Sequence, residues 1–127
     1  MAWNDQRPLS PHLQIYKLPL TAIVSISNRA SGVVNIMAMT LLVLAIVAAA
    51  SPGDSSIILS VIDSWFGRLV LFGFTLSLFF HMCNGIRHLF WDVGKGFELD
   101  AANKSAKVSI AAAVVLTIIT WIIASAS

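Results

Sequence analysis

Charge is scarce in this chain. Of 127 residues, eight are Lys or Arg and six are Asp or Glu, 11% in all, where a soluble domain carries about 25%. A net charge of +2 gives no basic patch and excludes nucleic acid as a partner. The single cysteine, Cys83, excludes a disulfide framework, and no Cys/His spacing suits zinc. Repeats and low-complexity tracts are lacking as well. What fills the chain is apolar side chains, 57% of it. So little polar surface cannot cover a water-soluble fold of this size, and the chain reads as an integral membrane protein.

The few charges divide the chain into three spans. None lies between Arg29 and Asp54, none within 69–86, and none from 108 to the end. Each stretch has the roughly 17–25 residues that a helix needs to cross a hydrocarbon core about 30 Å thick. Backbone groups cannot go unpaired in lipid, so runs without strand alternation are helices. The expected elements are helix 1 over 22–50, helix 2 over 56–92 and helix 3 over 104–126, in a single domain covering 1–127. The fold class is all-α, a three-helix transmembrane bundle. Ser51-Pro52-Gly53-Asp54 ends the first helix, and Asp54 or Ser55 can cap the next. Gly94 and Gly96 sit where helix 2 must turn out of its path.

Orientation follows from the basic residues. With three spans, the N-terminal segment and the second loop share a side, which holds Arg7, Lys17, Arg29, Arg87, Lys95, Lys104 and Lys107. Only Arg68 falls toward the other. The positive-inside rule then puts the N-terminus in the cytoplasm. Trp65 and Trp91, near the two ends of helix 2, and Trp121 are expected at the membrane interfaces. No apolar run precedes a cleavage site in the first 20 residues, so no signal peptide is expected.

With polar groups this rare, each one inside a span needs a reason. His81 lies 12 residues past Leu69, roughly 18 Å into the span and near its middle. Ionisable residues at that depth are functional candidates by default. Gly85 at i+4 and His88 at i+7 lie on the same helix stripe. An imidazole, a missing side chain one turn on, and the cations Arg87 and His88 nearer water suit a haem: His81 on the iron, Arg87 and His88 at the propionates. The alternative is a buried histidine bonded to a neighbouring helix, with Gly85 as a packing notch. A six-coordinate haem needs a second axial ligand, and His88 shares a helix with His81. Met37 or Met39 is one source, and a histidine on a second membrane subunit is the favoured one.

A second cluster opens helix 1. Ser25 and Arg29 are spaced i, i+4, with Gly32 on the same face. Both can donate to a carbonyl oxygen and so form a site for a quinone head whose tail lies in lipid. The plainer reading makes Arg29 an interfacial anchor. Asp92 at the end of helix 2 reads as a surface charge paired with Lys95, or as a proton carrier. Asp63 and Arg68 are expected solvated or paired.

Two strings then carry a family resemblance. Arg7-Pro8-Leu9-Ser10-Pro11-His12-Leu13 with Ser25-Ile26-Ser27-Asn28-Arg29-Ala30-Ser31-Gly32, and the run His81-Met82-Cys83-Asn84-Gly85-Ile86-Arg87-His88-Leu89-Phe90-Trp91-Asp92-Val93-Gly94, resemble the two signatures of the succinate dehydrogenase cytochrome b subunit family. The resemblance implies a membrane anchor of succinate:quinone oxidoreductase, half of a larger heterodimeric anchor. It implies one haem b shared with a second membrane-anchor subunit that supplies the other ligand, and ubiquinone as substrate. It also implies an iron–sulfur subunit and a flavoprotein subunit as partners, with no succinate chemistry in this chain alone. His81 matches the axial ligand, and Ser25 and Arg29 match the quinone pocket. Arg29, Arg87 and His88 match the propionate edge. Asn28 departs from the pattern, which usually has histidine there. A bacterial inner membrane is favoured over a mitochondrial one. Two other readings stand beside this one: a non-redox membrane protein that uses His81 for proton or metal movement, and a fumarate reductase anchor that uses a low-potential quinol.

Overall fold

The structure, a computed structural model, describes residues 17–51, 53 and 56–126. The 7–13 signature, His12, and the caps expected at Asp54 or Ser55 lie outside the described residues. Among the described residues four helices follow one another: α1 (Leu20–Ala50), α2 (Ser56–Asp63), α3 (Trp65–Asp92) and α4 (Leu99–Ala126). Among the described residues α1, α3 and α4 are long and apolar enough to cross a membrane, with mean hydropathies of 2.5, 1.7 and 2.3. The all-α class and the three spans are as the charge pattern predicts.

α1 starts after Pro19, whose backbone is extended at φ −66°, ψ 154°, and the proline carbonyl accepts from Ala22 N and Ile23 N at 3.0 and 3.2 Å. It stops at Ser51, extended at ψ 148° because it precedes Pro52. Its 31 residues span about 46 Å, more than the hydrocarbon core itself.

Helix 2 was expected whole over 56–92, and it is broken at Ser64. Ser64 adopts φ −63°, ψ 156°, and its hydroxyl accepts from Gly67 N at 3.1 Å while donating to Val61 O at 2.6 Å. One hydroxyl thereby serves both the end of α2 and the start of α3. The corner is tight: a Cβ on Gly67 would run into the carbonyls of Val61 and Ile62. Gly67→Ala is therefore expected to destabilise the outer corner by about 1–3 kcal/mol, read as a lower thermal midpoint in detergent. An unchanged midpoint would mean that α2 moves away at little cost. Asp63 and Arg68 flank this break and pair at 3.1 Å, both well exposed, so the ion pair adds little.

At the opposite end α3 closes with a glycine turn. Gly94 and Gly96 take φ +77° and +83°, the left-handed region that their lack of a Cβ permits. Gly94 N donates to Trp91 O at 2.8 Å and Lys95 N to Phe90 O at 3.0 Å. Trp91 organises the turn, donating from Nε1 to Gly96 O at 3.1 Å and stacking on Phe97. α4 then begins at Leu99, earlier than the expected 104, because Ala102 N already bonds to Glu98 O and Asp100 favours the helix N-terminus. Asp92 and Lys95 do not form the expected ion pair: the turn carries Lys95 past the helix end, and both are exposed.

α3 is the central element, packed on α1 along one side and more extensively on α4 along another. α4 presents to it a stripe of small residues, Ala102, Ala106, Ser109, Ala113 and Thr117, all buried. Small side chains let helix backbones approach, which is how helices associate where lipid removes the hydrophobic drive. Trp121 packs edge-on against Phe72 of α3 at 5.6 Å, with Nε1 3.4 Å from Thr75 Oγ1. Large apolar residues such as Ile36, Met37, Val115 and Ile122 face outward, while Asn84 and Thr117 are fully buried. The inside is small and polar and the outside apolar, as a lipid-facing bundle requires.

Candidate functional site

The seam between α1 and α3 carries a cluster of hydrogen-bonded polar groups. His81 comes from the middle of α3, and Asn28 and Ser31 come from one turn of α1. His81 Nδ1 lies 3.1 Å from Asn28 O and 3.0 Å from Ser31 Oγ, and the Ser31 hydroxyl donates to Asn28 O at 2.7 Å. One turn earlier on α3, Ser77 donates to Ser31 O at 3.2 Å. A carbonyl only accepts, so the proton on this side of the ring is on Nδ1. Ser31 spends its own proton on Asn28 O, so its oxygen accepts from the same N–H. Nε2 is left with no protein partner among the described residues.

Gly32 makes this approach possible. A Cβ there would sit 3.2 Å from His81 Cε1, closer than such contacts ordinarily allow. Gly85, one turn along α3, differs: a Cβ on it would meet no atom within 4 Å. Beside His81 opens a cleft of about 500 Å³ lined by Gly32, Asn35, Ile36, Met39, Thr40 and His81. Its walls come from α1 and α3 alone. Asn35 Oδ1 is buried there with no partner, an uncompensated acceptor in an apolar setting. Met39 lines the same cleft as His81, whereas Met37 faces outward.

The other expected site residues are distributed around this seam. Ser25 is half-buried, and Arg29 is exposed and unpaired among the described residues. Arg29 follows Asn28 directly, so its backbone is one residue from the carbonyl that holds His81. His88 lies half-buried along the His81 stripe, with its ring edge-on to Trp91 at 4.9 Å. Arg87 goes elsewhere. It is 4% exposed and reaches across to α4, where Nε donates to Ser105 Oγ at 2.9 Å and Nη2 to Ala102 O at 3.2 Å. Its guanidinium carbon lies 4.1 Å from the centroid of the Trp91 ring. Only Nη1 is without a partner. Six positions beyond His81, a side chain is turned about 240° around the helix, which separates Arg87 from the cleft. Sequence reasoning overlooked Ser31 and the Asn28 carbonyl. The signal was present as polar residues at i and i+3 on the apolar α1, but their target on α3 was not.

The arrangement is a histidine at membrane depth, fixed on one nitrogen and uncommitted on the other, beside a mostly apolar cleft. The family described as "Succinate dehydrogenase/Fumarate reductase transmembrane subunit" matches residues 4–120. The chain belongs to this family. It is 44% identical over 121 residues to the succinate dehydrogenase cytochrome b556 subunit of Paracoccus denitrificans, covering 94% of this chain and 93% of the relative. The cytochrome b556 subunit of Rickettsia felis is 35% identical over 118 residues, covering 93% of both chains. The mitochondrial cytochrome b560 subunit of Dictyostelium discoideum is 37% identical over 121 residues, 91% of this chain and 62% of that longer protein. As a member, the chain is a multi-pass membrane subunit of an oxidoreductase complex. The reading as an unrelated non-redox membrane protein gives way to that membership.

Proposed function

We propose that this subunit anchors a succinate:ubiquinone oxidoreductase in a bacterial inner membrane, N-terminus in the cytoplasm, and holds one haem b jointly with a second membrane subunit. The observation that carries this reading is the His81 imidazole, held through Nδ1 by α1 with Nε2 uncommitted beside the cleft. The residues fit such a group: Gly32 and Gly85 supply no side chains to block it, and the lining is largely apolar. Haem b supplies one-electron transfer when bound. His81 would hold the haem iron from this chain, and a histidine of the second membrane subunit would supply the other ligand, since the cleft is open away from its α1 and α3 walls. Arg29 and His88 would hold the propionates from the cytoplasmic side. The share of Arg87 in that contact is confined to Nη1, because its other nitrogens are engaged with α4.

Ubiquinone is the electron acceptor in this reading. Ser25 and Arg29 donate hydrogen bonds to its carbonyl oxygen from the cytoplasmic end of α1, while its tail stays in lipid. Electrons arrive from the iron–sulfur subunit, which receives them from a flavoprotein subunit where succinate is oxidised. The chain has no catalytic residue for that oxidation, and it acts as a single anchoring domain over 1–127. The cytoplasmic-side lysines and arginines form the docking face for the soluble pair.

The test is the complex purified with its native partners in mild detergent. A dithionite-reduced minus oxidised spectrum is expected to carry a b-type band, and its absence would overturn the haem assignment. Arg29→Ala is expected to lower succinate:ubiquinone reductase activity roughly 10–100-fold, the equivalent of one charged hydrogen bond of about 1.5–3 kcal/mol. Succinate oxidation by a water-soluble dye, which bypasses this subunit, is the control. A quinone reductase activity unmoved by Arg29→Ala would remove Arg29 from the quinone site.

A further inference from the structure

The Ser31 hydroxyl performs two jobs at once. Serines within helices often bond back to a carbonyl three or four residues earlier, and Ser31 does so to Asn28 O at 2.7 Å. Its oxygen also lies 3.0 Å from His81 Nδ1, on another helix and 50 residues away. Ser31 is 7% exposed, so water does not compete for that contact. The Nδ1–H is thus shared between two acceptors, the Asn28 carbonyl and the Ser31 oxygen. Gly32 leaves the ring room to sit this close to α1, since a Cβ there would lie 3.2 Å from His81 Cε1.

We propose that Ser31 is a positioning residue that sets the electron-donating strength of His81, and through it the reduction potential of the metal group that His81 holds. This rests on the reading of His81 as an axial ligand. Outer partners of a ligating histidine fix its tautomer and raise its basicity. Two acceptors on Nδ1–H draw the imidazole toward imidazolate character, so Nε2 donates more strongly and favours the oxidised, more positive metal. Removing the Ser31 oxygen leaves only the Asn28 carbonyl. The ring stays in place, donates less, and the reduced state gains. The potential therefore rises when Ser31 is lost.

Three variants of the whole complex, Ser31→Ala, Ser31→Thr and Ser31→Cys, separate tuning from packing. Haem content comes from the difference spectrum and the midpoint potential from a redox titration followed at the same band. Ser31→Ala is expected to keep its haem and shift the midpoint upward. Ser31→Thr retains a hydroxyl able to bond the i−3 carbonyl and is expected to restore the unsubstituted midpoint. Ser31→Cys keeps the size of serine with a much weaker acceptor and is expected to behave as Ser31→Ala. Should Ser31→Ala fail to assemble, the cysteine variant decides: a raised midpoint supports the proposal and an unchanged one overturns it. A haem retained in Ser31→Ala at the unsubstituted midpoint would overturn the role of Ser31 and leave His81 untouched. A complex with no haem before any substitution would overturn both.

Discussion

His81→Ala is expected to remove the b-type band from the reduced minus oxidised spectrum of the purified complex. The substitution deletes the only imidazole that, among the described residues, lines the cleft between α1 and α3. It also deletes the two contacts that Nδ1 makes to Asn28 O and Ser31 Oγ. Loss of an outer partner of a metal-bound histidine typically costs roughly 10–100-fold in affinity, and loss of the ligand itself costs more. His88→Ala is the comparison. His88 lies on the same stripe and packs against Trp91, outside the lining of the cleft, so its loss takes away a propionate contact but not the iron ligand and is expected to weaken the band less than His81→Ala. Equal bands from His81→Ala and the unsubstituted complex would sink the ligand assignment.

The second large effect is expected at Arg87. Arg87→Ala removes two charge-assisted hydrogen bonds to α4 and a cation stacked on Trp91. A hydrogen bond to a charged group contributes about 1.5–3 kcal/mol, and a desolvated cation–π contact about 2 kcal/mol. The loss is partly offset, because Ser105 already donates to Ala102 O at 3.0 Å and keeps that partner. A net loss of about 3 kcal/mol is therefore expected in the docking of α4 on α3. It would be read as a lower thermal midpoint and faster proteolysis in the turn at 93–98. Trp91 fluorescence reports the same event locally, since the ring loses its cation. A variant as stable as the unsubstituted protein would place the work of Arg87 elsewhere, with Nη1 and the propionate edge the first candidate.

The Arg87 result illustrates where reading a sequence stops. Its proximity in sequence to His81 and His88 suggested a common cation cluster. The helix period puts it on another face, and only the position of α4 explains why burying a guanidinium there is tolerable: Ser105 and the Ala102 carbonyl, 18 and 15 residues on, satisfy it. The break at Ser64 is similar. No proline interrupts 56–92, so the sequence pattern alone gives one helix, and only a packed corner over Gly67 divides it. Trp121 reads as an interface residue because it is amphipathic and near a span end. That its partners are Phe72 and Thr75, on a different helix, is visible only in the fold.

What the sequence by itself determined is everything that depends on solvent and on local geometry. Scarce charge and long apolar runs require lipid and helices, because neither water nor an unpaired backbone is compatible with them. The two glycines at 94 and 96 permit a left-handed turn where the helix must end, and the expense of a histidine at membrane depth singles out His81. The tertiary structure alone decided which nitrogen of that histidine is held. That choice depends on a carbonyl and a hydroxyl 53 and 50 residues away, brought within hydrogen-bond reach because Gly32 lets α1 close on α3. Periodicity can say which face of a helix a residue occupies. It cannot say which atom of another helix will meet it, since that is set by the close packing of two backbones.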